Sequence, residues 1–266
     1  MALLPIHNFF VFNGDLLPVS EFIPSENEGG IYEVLRVING VPLFLEEHLE
    51  RFYHSAGLAN KSVHYTFAQI DSFLKLLIKE NHILEGNILL SCKTNLKAFF
   101  IPHQYPTQQQ YRSGVKCGIL EAERENPNAK VFQTSVRKRA NQMLEENGFF
   151  EVVLVDHFGR ITEGSRSNIF FIKKNKIITP PAFEVLLGIT RQKAILCAQD
   201  VGFEVLEEDV WLENLDLFDA AFITGTSPKI LPINQIGETH FNSANQILLR
   251  LMDQFDLLIE EYIKAK

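Results

Sequence analysis

Residues 161–170 read ITEGSRSNIF and join two apolar runs, EVVLV at 151–155 and IFFI at 169–172. Both runs are short and rich in Val, Ile and Phe, as buried strands are. The joint carries a carboxylate (Glu163), a glycine (Gly164), two serines (Ser165, Ser167), an arginine (Arg166) and an asparagine (Asn168). A turn that only reverses the chain needs Gly, Asn or Pro and little else. A joint this polar between buried strands predicts a strand end that delivers chemistry.

The same grammar continues on either side. NFFVF and LLPV flank Asn13-Gly14, and IYEVLRVI and VPLFL flank Asn39-Gly40. Asn-Gly supplies the positive φ angles of tight hairpins, so two hairpins are expected. Leu49, Phe52, Tyr53 and Ala56 make one apolar face of a helix from Glu46 to about Ala59. Thr66 and Gln69 form a capping box ahead of Ile70, Phe73, Leu74 and Leu77, which starts a second helix. Strands follow at 87–92 and 97–102. Residues 104–114 are polar and contain Pro106 and Gly114. A boundary is expected there, giving an N-terminal α/β domain (1–105), a linker (106–113) and a C-terminal domain (114–266). The C-terminal part should open with a strand at VKCGIL. A helix over 134–147 ends at Gly148, and further strands follow. Another helix runs from Thr190 to Gly202, and an amphipathic helix covers 243–263. The fold class is α/β (α+β), with the second domain strand-rich.

The chain has 266 residues, enough for two domains with buried cores. Its net charge of −8 argues against nucleic acid and membrane surfaces as partners. Cys92, Cys117 and Cys197 cannot all pair and lack metal-type spacing, which suits a reducing, cytoplasmic compartment. MALLPIHNFFVFNG lacks a basic n-region, and no apolar run approaches the ~20 residues of a membrane span. The phosphate-loop and dinucleotide glycine patterns, H-E-x-x-H and C-x-x-C are all missing, and EGSRS lacks the second glycine of a nucleophile elbow. No metal is expected, and His48, His54 and His64 read as surface or internally satisfied histidines.

ITEGSRSNIFFI resembles the T-E-G-x-x-S-N-x-F motif of the class IV aminotransferases, the fold-type-IV pyridoxal-phosphate (PLP) enzymes. That family includes D-amino-acid and branched-chain aminotransferases and 4-amino-4-deoxychorismate lyase. Three more stretches agree in order: LERFYHSA (49–56) with the family's H-x-x-R-L segment, LLGITR (186–191) with its G-I-T-R loop, and FITGTSPKILPI (222–233) with its second phosphate loop. The resemblance implies a small N-terminal α/β domain, a larger C-terminal pseudo-barrel domain that binds PLP, and a homodimer.

It also implies roles. Glu163 would hold the proton on the pyridine nitrogen of PLP, an electron sink; the bland alternative is a solvated turn glutamate. Lys130, 33 residues upstream and just before a helix, would form the Schiff base and act as the catalytic acid and base. Lys138, in the run RKR, is its rival. Gly188, Ile189 and Thr190 open a helix whose free N–H groups suit a phosphate, with a plain helix cap as the alternative. Gly225 and Thr226 would add a hydroxyl and backbone donors, and Arg51 a bidentate charged contact, unless it is an ordinary exposed arginine. Gly164 and Ser165 would let the backbone approach the cofactor, and Asn168 would tie the joint. Tyr32 stands where relatives place an active-site aromatic.

The chain also departs from the pattern. In FIPSENEGGIYEVLRV the family's leading arginine is missing. SCKTNLKAFFIP replaces the long loop whose arginine and histidine grip a substrate carboxylate, leaving Lys93, Lys97 or Arg36 as substitutes. The expected activity is PLP-dependent transfer of an amino group between an amino acid and an α-keto acid. Aminodeoxychorismate lyase activity and a PLP fold without turnover are the alternatives.

Overall fold

β3 (Ile31–Ile38) alternates buried and half-buried residues along its whole length, the signature of a strand with one face against a core. In the computed structural model, which describes residues 3–24, 29–124, 126–132 and 134–266, this strand belongs to the first of two compact units. Part of the run FIPSENEGG, residues 25–28, lies outside the described residues.

The first unit comprises residues 1–104, 129–133 and 260–266. Its strands are β1 (Phe9–Phe12), β2 (Asp15–Pro18), β3, β4 (Val41–Pro42), β5 (Glu85–Cys92) and β6 (Leu96–Ile101). They form one antiparallel sheet in the order β2-β1-β6-β5-β3-β4. Both expected hairpins are present: Asn13 and Gly14, and Asn39 and Gly40, all have positive φ. Helices α1 (Leu45–Leu58) and α2 (Phe67–Asn81) pack on one face, where Leu49, Phe52, Ile70 and Leu74 meet Ile31, Leu35, Ile88 and Phe100. The capping box of α2 forms as read, with the Gln69 N–H donating to Thr66 Oγ1.

Helix α1 has no cap of its own, because Phe44 precedes it in the left-handed region. Tyr262 serves instead: its hydroxyl accepts from the Leu45 N–H at 3.0 Å and donates to Glu46 at 2.7 Å.

The second unit comprises residues 105–128 and 134–259. It opens with α3 (Gln108–Ser113), a short helix in the segment read as a linker; Thr107 and Gln110 form its capping box. The elements that follow are β7 (Val115–Glu121), α4 (Thr134–Asn147), β8 (Glu151–Val155), β9 (Arg160–Gly164), β10 (Asn168–Lys173), β11 (Lys176–Thr179) and α5 (Ile189–Asp200). After them come β12 (Glu204–Glu207), β13 (Val210–Trp211), β14 (Ala220–Gly225), β15 (Lys229–Ile236), β16 (Thr239–His240) and α6 (Gln246–Lys264). Ten strands make one mixed sheet, β12-β11-β10-β14-β15-β7-β8-β9-β13, with β16 on β15. The β7–β8 and β11–β12 pairs are parallel and are joined through α4 and α5, as parallel connections require. No helix among the described residues is long and apolar enough to cross a membrane.

Candidate active site

In the first unit the site is built on the two faces of β3. Glu33, fully buried, points toward α1. Arg51 donates to it twice, Nε to Oε1 at 2.7 Å and Nη2 to Oε2 at 2.6 Å, and His48 Nδ1 lies 2.7 Å from Oε2. His48 and Arg51 are three apart on α1 and share a face. Burial alone would raise the Glu33 pKa, but the Arg51 charge and the hydrogen bonds from Arg51 and His48 reverse it, bringing it to about 2. Burial lowers the His48 pKa, so the ring is neutral at ordinary pH.

Lys130 is fixed by its main chain. Its N–H donates to Ser55 Oγ of α1 at 3.1 Å, its carbonyl accepts from the Tyr32 N–H at 3.1 Å, and Val131 bridges to Ile31. Its amine lies 5.0 Å from the centre of the Tyr32 ring, which stacks on Phe132 at 4.0 Å. Tyr32, Arg51 and Lys130 are thus gathered around β3 and α1. Lys138 sits exposed on α4.

In the second unit Glu163 is the penultimate residue of β9, only 3% exposed. Its Oε1 accepts from Arg124 Nη1 at 3.0 Å and its Oε2 from the Leu186 N–H at 3.2 Å. It is not a solvated turn residue. Glu151 explains the serines. This buried carboxylate at the start of β8 accepts from Ser165 Oγ at 2.6 Å, Ser167 Oγ at 2.8 Å, the Val152 N–H at 2.8 Å and the Arg166 N–H at 3.2 Å. The hydroxyl of Ser165 therefore holds the loop instead of opening room for a cofactor. A Cβ at Gly164 would fall 2.1 Å from Ser167 Oγ, so the turn needs glycine. Arg166 is exposed and bonded to Asn141. Glu151→Leu would strand these donors, and the expected loss of stability is about 3 kcal/mol, read by thermal unfolding.

Asn168 ties the joint to the next segment by donating to the Leu186 carbonyl at 2.8 Å. That segment leads into α5, whose N-cap, Gly188, supplies no side-chain acceptor. The first N–H groups of α5, at Ile189 and Thr190, begin a helix with its positive dipole end uncapped by any side chain. Thr224, facing Asn168 across β10 and β14, has a buried hydroxyl with no hydrogen-bond partner among the described residues. Gly225 closes β14, with Thr226 half-buried beyond it. Arg191 is structural, donating to the Pro180 carbonyl at 3.1 Å and pairing with Glu207. A Cβ at Gly188 would meet Asn168 Oδ1 at 2.1 Å. Gly188→Ala is therefore expected to displace Asn168 and weaken binding of a phosphate-bearing ligand by about tenfold in an equilibrium titration.

In the second unit an uncapped helix start, an orphaned hydroxyl and a buried carboxylate suit the phosphate and ring nitrogen of a phosphorylated pyridine aldehyde; in the first, a lysine locked by its main chain suits its aldehyde carbon. Sequence reading missed Glu33, Glu151 and Arg124, whereas His48 is the internally satisfied histidine it was read as. The signal for Glu33 was there: a carboxylate in the apolar phase Ile31, Leu35, Val37.

The family model for amino-transferase class IV matches residues 30–236, and the chain belongs to that family. A probable branched-chain-amino-acid aminotransferase of Rickettsia felis is 29% identical over 94% of this chain and 95% of its own length. A D-alanine aminotransferase of Bacillus licheniformis is 30% identical over 86% and 89%. The solved branched-chain amino acid aminotransferase of Thermobaculum terrenum, in its PLP-bound holo form, superposes with a TM-score of 0.84 at 21% identity, covering 96% of this chain and 95% of that one. The chain is an enzyme of the PLP-dependent aminotransferase class, and the lyase alternative is not favoured.

Proposed function

We propose that the chain binds PLP through Lys130 and transfers amino groups between aliphatic amino acids and their α-keto acids. The placement of Lys130 is the observation that carries this reading. Both main-chain polar groups of the residue are tied down, so its amine is presented from a rigid point beside Tyr32.

PLP, when bound, supplies an electron sink for the charge left as the substrate Cα–H bond breaks. Lys130 Nζ is the covalent anchor and the group that takes up and returns the proton. Glu163 would face the ring nitrogen; the Arg124 and Leu186 donors hold its carboxylate turned. Each carboxylate oxygen has a second lone pair for that contact. The α5 N–H groups at Ile189 and Thr190, the Thr190 hydroxyl, and Gly225 and Thr226 would hold the phosphate, with Gly188 keeping the approach open. Arg51 would add charge to it, oriented by Glu33.

The aliphatic class is supported by the two relatives' names, which share small apolar amino acids. Division into an α/β domain at 1–105 and a cofactor domain from 114 belongs to the same reading, as do a homodimer and a cytoplasmic location. The test is an absorbance spectrum of the purified protein between about 300 and 500 nm, before and after borohydride, followed by peptide mapping. A yellow protein whose reduced adduct maps to Lys130 is expected. A colourless protein that takes up no added PLP would overturn the reading.

A further inference from the structure

Helix α1 carries three groups of the first unit's site. His48, Arg51 and Ser55 follow at spacings of three and four and share a buried face. The first two hold Glu33, and Ser55 Oγ accepts from the Lys130 N–H. Where α1 begins therefore decides where the Arg51 guanidinium points. The chain ahead of it is fixed, because the Leu43 N–H donates to the Arg36 carbonyl of β3 at 2.8 Å. The start itself is not self-supporting. Phe44, at the N-cap, is buried with φ 51° and ψ 42°. That left-handed conformation is disfavoured for a bulky side chain and persists only where its surroundings hold it. Phe44 also offers no side-chain acceptor to the first N–H groups of the helix.

The end of the chain supplies both missing parts. Residues 260–266, the last turn of α6 and two residues beyond it, belong to the first unit. The Tyr262 ring packs on the ring of Phe44 with centres 5.0 Å apart, which covers the strained residue. The Tyr262 hydroxyl, accepting from Leu45 and donating to Glu46, stands where an N-cap side chain would stand, yet it comes from 217 residues along the chain. Lys266 pairs with Glu46 as well. Burial, and then the hydrogen bond to Glu46, push the Tyr262 pKa up, so the group stays a hydroxyl that can both accept and donate.

We propose that Tyr262 is a positioning residue for cofactor binding: by fixing the first turn of α1 it keeps His48 on Glu33, and through that pair it aims Arg51 at the cofactor phosphate. This rests on the PLP site proposed above. About 15 Å of helix separates Leu45 from Ser55. Loosening of the first turn therefore reaches His48 at once and fades before Ser55, the residue that holds Lys130. The hydroxyl acts on the grip of the phosphate and leaves the lysine where it is.

The test is Tyr262→Phe, which keeps a ring against Phe44 and removes only the hydroxyl. The full chain, freed of any bound aldehyde, is titrated with PLP and with pyridoxal, which lacks the phosphate, and binding is read by the absorbance of the lysine adduct. The Kd for PLP is expected to rise about tenfold and that for pyridoxal to stay within about twofold of wild type. The Tm should fall by no more than about 4 °C, as for the loss of one helix cap. With no aldehyde present, the amide hydrogens of the first turn of α1 should exchange about five- to tenfold faster, and that of Ser55 at the wild-type rate. Wild-type affinity for PLP in Tyr262→Phe would overturn the proposal. So would an equal loss for PLP and pyridoxal, which would mean that the hydroxyl serves stability alone. A wild type that takes up neither aldehyde would overturn the PLP reading and with it the purpose given to Tyr262, while faster exchange in the variant would still show that the hydroxyl holds α1.

Discussion

Replacing Lys130 by alanine is expected to lower transamination about a thousandfold or more, the scale of a lost acid–base group that is also the covalent anchor. The fold should survive. The contacts that place the residue run through its N–H to Ser55 and its carbonyl to Tyr32, and alanine keeps both. Melting temperature near wild type together with lost activity and no borohydride-fixed adduct is therefore the expected pattern. Lys138→Ala should retain both activity and adduct, because that side chain is exposed on α4. An adduct that persists in Lys130→Ala and maps to Lys138 would reverse the assignment. The gathering of Tyr32, Ser55 and Lys130 would then be scaffold alone.

Local chemistry is legible in the sequence, and non-local pairing is not. The Asn-Gly turns and the Thr66–Gln69 box are self-contained, because the residues that make them also satisfy them. Helix α3 follows the same box, Thr107 to Gln110, yet its segment reads as linker. Its QQQYRS body has no apolar period to confirm the cap. The T-E-G, G-I-T-R and T-G-T-S stretches are legible because each is contiguous. Glu151 and Arg124 are not, since their partners lie 14 and 39 residues away and the contacts exist only once β8 and β9 pair. Ser165 misleads for the same reason. A serine in a joint looks like a small residue making room until the carboxylate that claims its hydroxyl is known. Glu33 escapes notice because a strand glutamate usually faces water.

Glu33→Ala is expected to destabilise the protein by about 3–5 kcal/mol, because it leaves the Arg51 guanidinium buried without its counter-charge. At this chain length that is a fall in Tm of roughly 10 °C by calorimetry. The double variant Glu33→Leu, Arg51→Met removes charge and counter-charge together and should recover most of the loss, since an apolar pair of similar volume packs as well as a buried ion pair. It should not recover affinity for a phosphate-bearing cofactor, which separates the stabilising role of the pair from the binding role assigned to Arg51. The same pair sets the acid limit of the fold. The folded Glu33 pKa, about 2, lies below its unfolded value near 4.3, so its stabilisation is complete above that value and is lost as pH falls toward 2. His48 acts in the same direction. Its folded pKa is lowered by burial, so below about pH 6.5 the unfolded chain gains a proton that the folded chain refuses. Unfolding free energy should therefore fall in two stages on acidification, first below about pH 6.5 and again below about 4.3. Glu33→Ala should shrink the second stage, leaving the share of Glu46 and Asp156, whose hydrogen bonds also hold them below the ordinary carboxylate value. A variant that melts like wild type at pH 7, or whose lower acid transition is as large as that of wild type, would mean that the buried carboxylate and its arginine do not carry the stability of α1 on β3.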